Sequence, residues 1–293
     1  MKLFHLFLIL IFLFSILSGC QAPVQQAQIA ATTLPVYEFT TRLCQDTGLT
    51  VTRLVTENVS CLHDYSLNVR QVRATEAADL VVTSGAGLEA FMSDLLQGKD
   101  VIDCSQGIAL LESHEHHHHE HSHHDHEAEA DSHIWLSVDN AMVMAENIYA
   151  GLVARYPEHE HTFSVNLELL LTDFQKLKTY AAEQLQNLSC RELVTFHDGF
   201  AYFAHSNAFT ILEAVEEESG SEASAAELKE LILLVREHQL PAIFTEVSGS
   251  VSAADIISAE TGAAVFTLDM AMQGNSYFEA MYHNIDTIKE AMG

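Results

Sequence analysis

A long apolar stripe standing between two runs of alternating strand and helix signals constrains the fold most. Phe163, Leu167, Leu170, Leu171, Phe174, Leu177, Ala181, Leu185 and Leu188 recur at three- and four-residue steps. That is the spacing of one face of a helix. Pro157 is suited to the first helical turn. A helix over residues 157–188 rises about 1.5 Å per residue and is roughly 48 Å long. It outruns one small lobe, so it is predicted to act as a strut along two.

On either side the pattern is β-α. Strands are predicted at residues 29–32, 49–55, 78–83 and 100–103, with helices opening at Pro35, covering about 68–77, and running through Leu88, Phe91 and Leu95. A further helix starts at Asp139. After the strut, strands are predicted at 192–196, 209–212, 242–245 and 264–268. They are joined by a short helix carrying Tyr202 and Phe203 and by helices at 227–238 and 253–260. A last helix covers 278–292. Such alternation implies parallel sheets covered by helices. The fold class is therefore α/β, with two lobes, each a mostly parallel sheet flanked by helices, joined by a long rigid backbone helix. The chain of 293 residues has room for both. The first lobe is expected at 29–156, the linking helix at 157–188 and the second lobe at 189–293.

The N-terminus reads as an export signal. Lys2 precedes an apolar run over residues 3–17, too short for the ~20 residues of a spanning helix. Leu17-Ser18-Gly19-Cys20 resembles the lipobox of bacterial lipoproteins. By that resemblance residues 1–19 are a signal peptide and Cys20 is the lipidated first residue of the mature chain. Residues 20–28 then form a flexible tether. The expected location is the outer face of the bacterial cytoplasmic membrane, held by acyl chains worth ~0.8 kcal/mol per buried CH₂. Export permits a disulfide among Cys44, Cys61, Cys104 and Cys190, for which three pairings exist. Cys44 with Cys61 is the expected pair, since the helix after the first strand and the loop after the second are taken to lie close. Free buried thiols are a second reading, and Cys61 as a metal ligand a minor third. The formal charge of -28 argues strongly against binding nucleic acid or an anionic membrane through a basic face.

Ligands of open α/β sheets bind beyond the carboxyl ends of the strands. His63, His133, His197, Glu246 and Asp269 all follow strands or the loops attached to them. Imidazole and carboxylate are the donors that suit Zn²⁺, in sets of three or four. A second group of donors is crowded into one run: His114, His116, His117, His118, His119, His121, His123, His124 and His126, interleaved with acidic residues. A segment this polar has no core of its own, so the 113–130 loop fixes no geometry and is read as an accessory collector of metal. The chain has no His-Glu-x-x-His pair and no nucleophile elbow, which argues against an exported zinc hydrolase.

Several motifs in order resemble one family. They are Thr33-Leu34-Pro35; His63-Asp64-Tyr65; Gly85-Ala86-Gly87-Leu88-Glu89; Ser132-His133-Ile134-Trp135-Leu136; Thr195-Phe196-His197-Asp198-Gly199-Phe200; Phe244-Thr245-Glu246; and Leu268-Asp269. Together they look like the metal-binding lipoproteins of zinc and manganese ABC importers (cluster A-I), in particular the zinc-uptake, ZnuA-type group. The resemblance covers nearly the whole mature chain. It implies a non-enzymatic, monomeric substrate-binding protein that hands a cation to a membrane permease. His63, His133 and His197 are then metal ligands. Asp269 is the fourth or lies beside it, and Glu246 is a supporting carboxylate or reserve ligand. Histidine at 197, where manganese members often carry glutamate, favours Zn²⁺, as does the His-rich loop, with Mn²⁺ the alternative. Ser132 departs from the family's usual proline, and Cys61-Leu62 from its usual glycine- or proline-containing turn. His159, His161, His205, His238 and His283 match no ligand motif. A surface-adhesin role, described for relatives, has no distinguishing residue here.

Overall fold

The computed structural model describes residues 28–57, 59, 62, 65–112, 130–215, 224–247 and 251–293. Cys20, Cys61, His63 and the nine crowded histidines lie outside the described residues.

The first sheet comprises β1 (Ile29–Ala31), β2 (Val51–Arg53), β3 (Leu80–Thr83) and β4 (Val101–Asp103) in the order β2-β1-β3-β4, all parallel. Its helices are α1 (Leu34–Leu43), α2 (Val69–Ala77), the single turn α3 (Ser93–Leu96) and α4 (Val138–Arg155). Local chemistry sets their starts. Pro35 lies in the first turn of α1, where its missing N–H costs nothing. Asn68 and Gln71 close a reciprocal capping box on α2, and Ser137 caps α4. Next come the connecting helix α5 (Glu160–Gln184) and the second sheet: β5 (Glu192–Thr195), β6 (Thr210–Ala214), β7 (Ala242–Glu246) and β8 (Ala264–Leu268). It repeats the first topology, with order β6-β5-β7-β8, again parallel. Helices α6 (Ala201–Ser206), α7 (Ala225–His238), α8 (Ser252–Thr261) and α9 (Tyr277–Met292) cover it. The two-lobe α/β architecture is thus the expected one.

The strut differs from expectation in length. Residues Pro157–His159 form a 3₁₀ turn, and α5 proper has 25 residues, about 37 Å. It ends at Gln184, and the Arg191 guanidinium donates to the carbonyls of Leu185 and Asn207 where the chain turns toward β5. Helix α5 still braces both lobes. Its Phe174 packs edge-on against Phe39 of α1 at 5.1 Å between ring centres, and against Tyr277 of α9 at 6.0 Å. Asn166 donates to the carbonyls of Leu43 and Gln45, and Arg42 pairs with Asp173. One apolar core runs through both lobes along this helix.

A second set of ties joins the first lobe to the segment after β8. The Trp135 indole N–H donates to Met270 O at 2.7 Å, and the Tyr277 hydroxyl donates to Trp135 O. Arg53 donates to the carbonyls of Met272 and Gly274, and Glu38 accepts from Tyr277 N–H and Ser276.

The expected pairing of Cys44 with Cys61 meets a correction at Cys44, which is a free, buried thiol. A helix in a parallel β-α unit runs back against its strand. The end of α1 therefore lies at the amino edge of the sheet, whereas the loop after β2 leaves from the carboxyl edge. Burial pushes the Cys44 thiol up to about 12. Cys104 and Cys190 are free as well.

Candidate metal centre

In the second sheet the strand order reverses between β5 and β7, the place where open α/β sheets leave a crevice. Parallel pairing of Thr195 with Phe244 sets their carboxyl ends side by side. His197 follows β5 and Glu246 ends β7. Both are buried, at 1% and 3% exposure. The topology thus sets His197 and Glu246 at the same edge of the sheet.

His133 arrives from the first lobe. It precedes a 3₁₀ turn, Ile134–Leu136, whose three side chains are all buried, so apolar packing anchors the residue after it. The His133 and His197 rings lie 5.2 Å apart between centres at an interplanar angle of 89°, and Trp135 stands 5.4 Å from His133. Gly199 makes this approach possible. A Cβ there would come within 2.9 Å of His197 Cδ2, 3.2 Å of His133 Cε1 and 2.5 Å of Met270 Cε.

Both ring nitrogens of His197 are buried without a hydrogen-bond partner among the described residues. Such groups in native interiors are rare and costly. His133 is differently placed. Its Nδ1 lies 2.8 Å from Asp131 Oδ1, which also accepts the His133 main-chain N–H at 2.8 Å. Sequence reasoning passed over Asp131. The signal was present as an acidic residue two positions before the histidine, the spacing at which an Asx turn forms.

Asp269 follows β8 and is half-buried. Its N–H donates to Asn284 Oδ1, and its own Oδ1 accepts from Ala271 N–H at 2.7 Å. Burial raises its carboxyl above the ordinary range, opposed by the Ala271 N–H and by His283. One oxygen of Asp269 thus closes the turn in which Ala271 adopts φ 55. Among the described residues, His, Cys, Asp and Glu side chains do not gather in groups of three or more that could hold a metal ion. The structure brings His133 and His197 together. Of the remaining histidines, His238 contacts Glu192, His283 contacts Thr267 O and His159 packs on Phe163.

Comparison with known proteins gives a consistent result. A family model described as zinc-uptake complex component A, periplasmic, matches residues 29–291. The high-affinity zinc uptake system protein ZnuA of Bacillus subtilis is 28% identical over 279 residues, covering 90% of this chain and 87% of its own. The manganese-binding lipoprotein MntA of Halalkalibacterium halodurans is 27% identical over 237 residues, covering 77% and 75%. Among solved structures, a crystal structure of ZnuA matches with a TM-score of 0.79 at 27% identity, covering 91% of this chain and 100% of the other. The Zn(II)-bound ZnuA-like domain of Streptococcus pneumoniae AdcA matches with a TM-score of 0.75 at 27% identity, covering 90% and 98%.

Proposed function

Because the chain belongs to the family of zinc-uptake complex component A, we propose that it captures Zn²⁺ between its lobes outside the cytoplasmic membrane and delivers it to the permease of an ABC importer. Members of this family are substrate-binding transport proteins for zinc or manganese and are not enzymes.

The observation that carries the reading is the pair of buried imidazoles, one with both nitrogens lacking a hydrogen-bond partner among the described residues. With an N–Zn bond of about 2.0–2.1 Å and the ring centre roughly 1.1 Å behind the nitrogen, two imidazoles on one tetrahedral ion have centres about 5.2 Å apart. The spacing of His133 and His197 is 5.2 Å. His63 is the third ligand by its motif. Asp269 or Glu246 completes the shell, and Glu246 is the better buried of the two. A nitrogen-rich donor set favours Zn²⁺ over Mn²⁺, which prefers oxygen. The polar ties from Trp135, Arg53 and Glu38 to residues 270–277 leave little room for wide lobe opening, so capture and release turn on the ligand loops.

In this reading the crowded histidines at 114–126 gather Zn²⁺ and the ordered site holds it. Cys20 carries the lipid that keeps the protein near its permease. No helix among the described residues is long and apolar enough to cross a membrane. Isothermal titration tests the site. The wild type is expected to show one tight Zn²⁺ site plus weak ones. The double variant His63→Ala, His133→Ala is expected to lose the tight site alone, and excision of residues 113–129 to lose the weak ones alone. Tight binding that survives the double variant refutes the assignment. Growth of a deletion strain on limiting zinc or limiting manganese distinguishes the two cargoes.

A further inference from the structure

We infer that Asp131, clamped through its main chain by Tyr202, is the positioning residue that holds the His133 ring in the tautomer able to bind a cation through Nε2. The inference rests on His133 being a ligand, as proposed above.

Asp131 is buried, and its Oδ1 takes both the main-chain N–H and Nδ1 of His133 at 2.8 Å. A carboxylate oxygen accepts and does not donate, so the ring proton sits on Nδ1 and the lone pair on Nε2. An imidazole left to water favours the opposite tautomer, with its proton on Nε2. Carboxylates that orient a ligating histidine in this way also raise its basicity. Asp131 Oδ2 is buried with no hydrogen-bond partner among the described residues. A buried carboxylate with one bare oxygen is costly until positive charge arrives beside it. A cation on His133 supplies that charge.

The clamp is equally specific. Asp131 N–H donates to Leu111 O at 2.9 Å. The Tyr202 hydroxyl donates to Asp131 O at 3.0 Å and accepts from Leu111 N–H at 2.9 Å. Tyr202 is buried on α6, which begins four residues after His197. Burial pushes its phenol above the ordinary range, which keeps the donor proton in place. One hydroxyl therefore ties together the two chain segments that flank residues 113–129, already bridged at Glu112 and Ala130, and the helix that follows His197. The orientation of one proposed ligand is thus built into the stem of the histidine-rich segment and referenced to the other.

The test reads the His133 tautomer in metal-free protein by long-range ¹H–¹⁵N correlation, alongside zinc affinity. The wild type is expected to show the Nδ1–H form. Asp131→Ala should move His133 to the Nε2–H form and weaken zinc binding by about 10–100-fold. Asp131→Asn, whose amide oxygen still accepts, should keep the Nδ1–H form and recover part of the affinity. Tyr202→Phe should shift both readouts in the direction of Asp131→Ala. A wild-type ring in the Nε2–H form overturns the inference without any variant. So does Asp131→Ala with the wild-type tautomer and affinity. A failure of the underlying reading looks different, because the His133 ring signals of the wild type would then stay unmoved on adding zinc, whatever the tautomer.

Discussion

Replacing His197 with leucine separates cargo binding from stability. The neutral ring carries one donor and one acceptor. Both nitrogens are buried without a hydrogen-bond partner among the described residues, and each such group costs about 1–3 kcal/mol. Leucine is similar in volume, and a swap of that kind loses under about 1.5 kcal/mol to imperfect packing. His197→Leu is therefore expected to stabilise the metal-free protein by roughly 2–4 kcal/mol. At about 2–4 °C per kcal/mol for a chain of this size, Tm should rise by roughly 4–16 °C. The response to zinc should move the other way. Zinc at 100 times its Kd stabilises the wild type by about 2.7 kcal/mol, and the variant should lose that increment. Scanning calorimetry of chelator-treated protein, with and without added zinc, measures both effects. A metal-free variant that melts below the wild type would mean that the folded protein satisfies His197 itself. A variant that keeps the wild-type rise on adding zinc would place the cargo elsewhere.

Gly199→Ala should weaken zinc binding about tenfold, the low end of what disturbing a ligand's support costs, because the added methyl meets both imidazoles; titration with unchanged affinity would refute the packing argument. Glu89 is buried, and burial pushes its carboxyl up to about 7 against hydrogen bonds from Thr32, Ser84 and Gly85. Its folded value lies above the unfolded one, so its contribution to stability is full below about pH 4.5 and is lost as pH rises through about 7. Denaturant midpoints of wild type minus Glu89→Gln should fall by the equivalent of about 3 kcal/mol between those limits, and a flat difference would show that the carboxylate titrates normally. Cys44 and Cys104, whose thiols burial pushes up, should resist a thiol reagent in the native protein and react after denaturation. Cys190, only partly buried, should react first; rapid native labelling of Cys44 would contradict its placement.

Much of this was legible in the chain because the signals are local. Strands β5, β7 and β8 are apolar runs closed by His197, Glu246 and Asp269, so reading where each run ends also located those side chains. The strut was overextended because Leu185 and Leu188 continue the helical stripe. Leu185 still packs in the core from a turn, and Leu188 packs against it from the chain just beyond; periodicity reports burial rather than the last backbone hydrogen bond. The helix expected through Leu88, Phe91 and Leu95 is broken into a 3₁₀ turn, Ala90–Met92, and α3. Glu89 reaches back to the N–H groups of Ser84 and Gly85 there, a demand set by the fold. The expectation that the helix after β1 and the loop after β2 lie close met a free Cys44, because α1 carries its end away from the carboxyl edge. Asp131 was missed because its work is done two residues along the chain, on a histidine that drew the attention.

The two lobes share one topology yet differ at the point that matters. In the first sheet the order reverses between β1 and β3, and that crevice is filled from within. Glu89 Oε1 accepts from Thr32 Oγ1 at 2.6 Å and Ser84 N–H at 2.7 Å, and Oε2 accepts from Gly85 N–H at 3.0 Å. The Thr33 and Ser84 hydroxyls lie 2.9 Å apart and bond to each other. A crevice whose donors and acceptors are already matched has nothing to offer a cation. In the second sheet the equivalent crevice, between β5 and β7, holds His197 with neither nitrogen satisfied by the described residues. On the proposed reading a cargo ion would be drawn to the second lobe's switch point, with the first lobe contributing only what its outer connections can reach. Those connections leave from edge strands. The loop after β2 carries His63, and the chain after β4 returns as Asp131 and His133. The proposed site, shared between two lobes, would then follow from one lobe keeping its crevice closed while the other leaves its own open.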